Sequence, residues 1–481
     1  MSFSISQRLR RGIALSAVVL ATGGLVLYRA DGQAAAFPGE TSFQRPSVLT
    51  NGKNSAVFSG PGAHGMVSLS HSRLLNGTDS TVFADVRVVA DADPRASDQK
   101  RAPISLAVVL DTSGSMSGEK IEEARRSVLR LLTEMRDDDE IAVVRYSDTS
   151  ELVQPLARVG VVRESLSARI RQLDAGGGTN IPGGMSAGLR ALEESARGRV
   201  RRLVLVSDGL DSTRVQAENL ARSSFASGIT VSSLGIGLDF DESYMGSLAQ
   251  NGHGNFAFVK DGASLAKFLH RELEETAGTT IENTRVRLQL PEGVRFISAT
   301  GADAAMHGSE LELVIGSLFA GDERRVVVEL AASTLISTSM DIDTQASWLP
   351  VGSGSMTVVR APRLSLLATV DAAQVERGQD GAVLASATSV VASRRQVEAS
   401  NAYAQGNVVL AASITENNER ELAKARAIAP PSAAPVLDAQ MAAYGAMKKG
   451  FNTVAPSSAA GRAAAKTNAA KDRGNFDRNG F

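Results

Sequence analysis

Five oxygen-bearing residues in three separated segments have the types and spacing to hold a hard cation. Asp111, Ser113 and Ser115 stand at alternate positions, Thr179 follows three glycines at 176–178, and Asp208 closes an apolar run at 203–206. Carboxylate and hydroxyl oxygens suit Mg²⁺ or Mn²⁺ better than a soft metal. Taken singly, each has an ordinary use as a helix cap or turn residue. Brought to one edge of a sheet, they make a metal site.

The segments around them are built to do that. Residues 105–110 are β-branched and apolar, as in a buried strand, and Gly114 and Ser115 mark the turn that ends it. Ile121, Ala124, Val128, Leu131, Leu132 and Met135 then recur at helical spacing. Further strands are predicted at 140–146, 201–207, 230–235 and 255–259, with 151–156 as an antiparallel edge. Helical patterns fall at 162–173, 185–196, 215–227, 244–250 and 264–276. Alternation of this kind predicts an α/β fold with a doubly wound sheet, whose ligands bind at the carboxyl ends of the strands. Gly176–Gly178 is no phosphate loop, because the chain contains no G-x-x-x-x-G-K-[ST]. The three glycines instead give the backbone freedom that lets Thr179 reach the cation.

The stretch from about 104 to 273 resembles a von Willebrand factor type A (vWA) domain. The resemblance rests on D-x-S-x-S, a distant Thr and a distant Asp, here Asp111, Ser113, Ser115, Thr179 and Asp208, with 235–237 and 249–256 also similar. It implies a Rossmann-like domain with a metal-ion-dependent adhesion site. Ser113, Ser115 and Thr179 would contact the metal, while Asp111 and Asp208 would act through water and hydrogen bonds. It further implies a cation that accepts a carboxylate from a partner and is held only modestly by this chain alone.

At 481 residues the chain is long enough for several domains. Apolar content of 43% and charged content of 21% allow sizeable cores, and a net charge of -1 argues against a basic surface for nucleic acid. The absence of cysteine excludes disulfides and thiolate chemistry. Arg8, Arg10 and Arg11 precede an apolar run at 13–28 and then Ala34, Ala35 and Ala36, the pattern of a secretory signal sequence, or of an anchor if retained. After residues 1–36, a linker is expected at 37–59 and strands that pair with the later sandwich at 60–100, with Asn76-Gly77 as a hairpin turn. The vWA-like region occupies 101–281, followed by a β-sandwich at 282–370. A helical hairpin region is expected at 371–428 and a disordered, Ala-, Ser-, Lys- and Asn-rich tail at 429–481.

These readings combine into an exported protein, in the periplasm, cell envelope or medium, that binds a divalent cation and through it a Glu or Asp carboxylate of a protein partner. Membrane attachment is expected only if the N-terminal segment is retained. No enzyme activity is expected. The five histidines, His64, His71, His253, His270 and His307, lie in no motif that places one beside an activated serine. Two other readings fit the same fold: an assembly cofactor of a separate ATPase, as in metal chelatases, and a structural envelope protein. An export signal argues against the first.

Overall fold

Alternating apolar and polar residues open the described chain, and they build strands. The computed structural model describes residues 54–92, 102–196, 198–208, 213–236, 240–259 and 262–476, so the expected signal segment lies outside it. β1 (Ser55–Gly60), β2 (Ala63–Leu69), β3 (Arg73–Leu75) and β4 (Asp79–Ala90) come first. In β4 every second residue from Val82 to Ala90 is buried, the period of a strand with one face on a core. Two details differ from the sequence reading. Residues 55–59, expected as linker, form β1, because Ala56 and Phe58 point into the same core. Asn76-Gly77 does turn the chain, with Gly77 at φ +75°, but it joins strands of different sheets rather than a hairpin. β2 pairs with β4 directly.

The central layer follows: β5 (Ile104–Asp111), α1 (Glu119–Glu134), β6 (Glu140–Tyr146), β7 (Ser150–Arg158), α2 (Val159–Arg171) and α3 (Ile181–Glu193). It continues with β8 (Val200–Ser207), α4 (Arg214–Ala226), β9 (Ile229–Ile236), α5 (Glu242–Asn251), β10 (His253–Val259) and α6 (Gly262–Ala277). The sheet order is β10-β9-β8-β5-β6-β7. All neighbours are parallel except β7, which lies antiparallel on β6 at the edge. Every residue of β5 is buried, since helices cover both faces of the sheet. Leu106, Val108 and Leu110 meet one apolar cluster, while Ala107 and Val109 meet the other. The chain leaves β5 toward β6 on one side and returns to β8 on the other. That reversal opens a crevice at the carboxyl ends of β5 and β8.

β11 (Thr279–Gln289), β12 (Val294–Thr300), β13 (Asp303–His307), β14 (Glu310–Phe319), β15 (Glu323–Ser333), β16 (Ser339–Pro350) and β17 (Thr357–Thr369) complete a two-sheet sandwich. One sheet runs β1-β2-β4-β15-β12, the other β13-β14-β11-β16-β17-β3. β4 pairs with β15 from Asp79↔Ser333 to Val89↔Glu323, so strands from both sides of the central layer share a sheet. Trp348 fills the shared core, and its indole N–H donates to the Pro61 carbonyl at 2.8 Å.

Five helices close the chain: α7 (Ala372–Gly378), α8 (Gly381–Ala404), α9 (Val408–Ile428), α10 (Ala434–Thr453) and α11 (Ala459–Phe476). α8 covers the outer face of the five-stranded sheet, where Ala387, Val390 and Val391 pack on Val327 and Phe83. α10 and α11 occupy most of the stretch expected to be a disordered tail. Alanine is the strongest helix former, and Ala465, Ala469 and Ala470 are buried. The polar residues that follow them are held by distant partners: Asp472 accepts from Tyr444, and Asn475 donates to Ser389 and Ser393. Among the described residues no helix is long and apolar enough to cross a membrane.

Candidate metal centre

Asp111 is the last residue of β5 and is fully buried. Its Oδ1 accepts the Ser113 N–H at 2.8 Å, which folds the following loop back over the strand end. Its Oδ2 accepts the Ser207 hydroxyl at 2.7 Å from the neighbouring strand and the Tyr146 hydroxyl at 3.4 Å from β6. Burial pushes the Asp111 carboxyl above its ordinary range. The bonds from Ser207 and Ser113 pull the other way, and the charge of Asp208 adds to the rise.

The loop after Asp111 forms a single 3₁₀ turn, Gly114–Met116, before α1. The turn places the Ser113 and Ser115 hydroxyl oxygens 3.0 Å apart. Ser115 donates to Asp208 Oδ1 at 2.8 Å, which brings the end of β8 into the same cluster. The glycine loop is joined to this turn by backbone. Gly114 N–H donates to the Gly177 carbonyl at 2.9 Å, and Gly176 N–H to the Thr112 carbonyl at 2.7 Å. Gly177 has φ +85°, and a side chain there would meet the Asp148 carboxylate at 2.6 Å. Thr179 follows, half-buried. Asn180 then caps α3 by accepting the Gly183 N–H at 2.9 Å.

All five residues singled out by spacing therefore lie at strand ends or on loops at one edge of the sheet. Four others complete the cluster: Ser207 and Tyr146 hold Asp111, Asp148 fits under the glycines, and Lys120 pairs with Asp208 Oδ2. Lys120 also donates to the Ser115 carbonyl at 3.2 Å. The signal for Lys120 was its place in the first turn of α1, where the helix dipole disfavours a cation unless an anion is near. Ser207 was readable only as the neighbour of Asp208.

The donor set fits a hard divalent cation. Two carboxylates lie in one cluster, the Asp111 and Asp208 residues being 0% and 2% exposed, and buried charge needs a compensating partner. Beside them stand the Ser113 and Ser115 hydroxyls, with Thr179 on the glycine loop that is bonded to the same turn. Among the described residues no group of three or more His, Asp or Glu side chains is placed to hold a metal. This cluster offers two carboxylates and neutral oxygens instead, a set that would leave a bound cation electron-poor.

Residues 105–271 match the family described as von Willebrand factor type A domain. This stretch is a vWA domain. It is similar to part of the Escherichia coli (strain K12) protein YfbK, described as uncharacterized, with 28% identity over 42% of this chain and 37% of that one. It is also similar to the uncharacterized protein sll0103 of Synechocystis, with 24% identity over 52% of this chain and 62% of that one. An inter-alpha-trypsin inhibitor heavy chain H3 from Rattus norvegicus is 26% identical over 40% of this chain and 22% of its own. The chain thus spans between about a fifth and three fifths of the length of these relatives.

Two solved structures share the fold over most of the chain. A von Willebrand factor type A protein from Catenulispora acidiphila superposes with a TM-score of 0.64 at 17% identity, covering 79% of this chain and 88% of its own. The ArnB paralog VWA2 from Sulfolobus acidocaldarius gives 0.52 at 17%, covering 81% and 98%. The vWA fold with its accompanying sheets and helical C-terminal region is therefore shown. Domains of this type typically mediate protein–protein interaction and commonly bind a divalent metal ion. The histidines take no part in the cluster: His253 pairs with Asp303 at 3.1 Å, and His270 with Glu134 at 2.7 Å.

Proposed function

We propose that this protein is an exported, non-catalytic binding protein whose vWA domain holds Mg²⁺ or Mn²⁺ and presents it to an acidic side chain of a protein partner. Ser113, Ser115 and Thr179 would supply the hydroxyl oxygens, with Asp111 and Asp208 behind them. A bound divalent cation supplies an electrophilic point that accepts a carboxylate oxygen. The chain's own residues do the rest. Asp111, tied by Ser207, Tyr146 and the Ser113 N–H, fixes the turn that aims the two serines. Gly176 and Gly114 lock the glycine loop to that turn, so Thr179 is carried to the same edge.

The observation that carries this reading is the convergence of Ser113, Ser115 and Asp208, linked by hydrogen bonds of 3.0 and 2.8 Å across the ends of two strands. The export part rests on the basic, apolar and Ala-rich order of residues 1–36. Affinity capture with the secreted form tests both parts. A partner retained in Mg²⁺, released by EDTA, and lost when one Glu or Asp of that partner becomes an amide supports the proposal. Capture that ignores EDTA contradicts it.

A further inference from the structure

We infer that Lys120 is a built-in competitor for the metal position, a tethered ammonium that a divalent cation must displace from Asp208. The inference rests on the metal reading above. Both oxygens of Asp111 accept from neutral donors, Ser113 N–H, Ser207 and Tyr146. Asp208 Oδ1 accepts from the neutral Ser115 hydroxyl. Among the described residues only Asp208 Oδ2 faces a full positive charge, the Lys120 ammonium. The Asp208 side chain is fully buried, whereas that of Lys120 is about a third exposed, at 32%. One partner is fixed and the other has a route to water.

The position of Lys120 makes the contact conditional. It is the second residue of α1, at the end of the helix dipole that repels cations, and it gains its place from Asp208 and the Ser115 carbonyl. Its long stem lets the ammonium swing into solvent without moving the helix. A divalent cation drawn to Ser113, Ser115 and Asp208 meets that ammonium at the same carboxylate, and like charges sharing one site exclude each other. Lys120 thereby keeps the buried carboxylates compensated at low divalent concentration and raises the concentration at which metal enters. A site of this kind stays closed until metal, or metal together with a partner's carboxylate, outcompetes its own lysine.

The test is Mg²⁺ and Mn²⁺ titration of the full chain by calorimetry, in wild type, Lys120→Met and Lys120→Arg. Lys120→Met should bind at least tenfold more tightly than wild type, while Lys120→Arg, which keeps the charge, should stay near wild type. A second reading follows the amine itself. Acylation of Lys120, quantified by mass spectrometry, should rise several-fold between EDTA and saturating Mg²⁺, a change that a purely structural lysine would not show. Equal or weaker metal binding by Lys120→Met, or acylation indifferent to bound Mg²⁺, overturns the inference and leaves the metal site standing. No Mg²⁺ or Mn²⁺ binding by wild type or either variant overturns both.

Discussion

Ser115 and Asp208 stand 93 residues apart in the chain and are joined by a 2.8 Å hydrogen bond from hydroxyl to carboxylate. The bond exists because β5 and β8 are parallel neighbours whose carboxyl ends open on the same side of the sheet. Ser115→Ala removes one oxygen from the cluster and one donor from a buried carboxylate. Stability should fall by about 1–3 kcal/mol, the cost of an unsatisfied buried group. Mg²⁺ affinity should fall at least tenfold, with the circular dichroism of the folded sheet retained. Loss of all folded signal would show that Ser115 is needed for the fold itself.

The glycine loop offers a two-part test. Gly177→Ala should cost about 1–2 kcal/mol, because φ +85° is a left-handed conformation that a Cβ disfavours. Gly178→Ala carries no such strain, but its Cβ would press on Asp148 Oδ1, as the Gly177 Cβ would on Asp148 Oδ2. Adding Asp148→Ala should recover most of the loss at 178 but a smaller share at 177, where the left-handed backbone and the contact with Ser147 remain. Urea unfolding of the four variants measures this, and equal recovery at both positions would contradict the assignment.

Much of this layer was legible in the sequence, and the reasons are physical. β5 and β8 are covered on both faces, so they read as unbroken apolar runs ending in Asp111 and Asp208. The period-2 burial of β4 and the helical spacing of Ile121, Ala124 and Val128 were equally local. What could not be read was long-range. β3 is three residues long and joins the far sheet through β17, so Asn76-Gly77 gave a turn but not its partner strand. In the candidate site, Asp111, Ser113, Ser115, Thr179 and Asp208 stood out by type and spacing. Lys120, Tyr146 and Asp148 did not, because their roles come from where the loops fold.

The C-terminal helices show the same limit. α11 has few large apolar residues, so its composition reads as a solvated tail. In the fold Lys466 donates to the Phe240 carbonyl at 2.9 Å with its ammonium 3.7 Å from the centre of the Phe240 ring. Arg473 lies over the Phe256 ring at 5.5 Å. Lys466→Ala should therefore destabilise the protein by about 2 kcal/mol, the scale of a desolvated cation–π contact. Hydrogen exchange at α5 and β10 should rise with it. Unchanged exchange there would mean that α11 does not brace the vWA domain.

Asp472 gives a pH prediction. Burial raises its carboxyl to about 7, against weaker opposing effects from Tyr444, Ser393 and Lys471. A carboxyl with a raised folded pKa keeps its proton in the folded state after the unfolded chain has lost it. Its contribution is most favourable below the unfolded value near 4 and is lost as pH rises toward 7, by up to about 1.4 kcal/mol per pH unit. Asp472→Asn should flatten that decline between pH 4 and 7 and leave stability higher than wild type at pH 8. Unfolding curves with the same pH slope in both proteins would contradict it.

The central claim is that the strand-end cluster binds a divalent cation, and calorimetric titration of Mg²⁺ and Mn²⁺ into wild type and Asp111→Ala tests it most directly. The doubly wound core rests on apolar residues such as Val108–Leu110 and Leu203–Val206, all buried, so the variant should remain folded. Wild type should bind and gain about 2.7 kcal/mol of stability at a hundredfold excess over the dissociation constant. Asp111→Ala should bind far more weakly and gain little. Equal binding by the two proteins, or none by the folded wild type, would contradict the account.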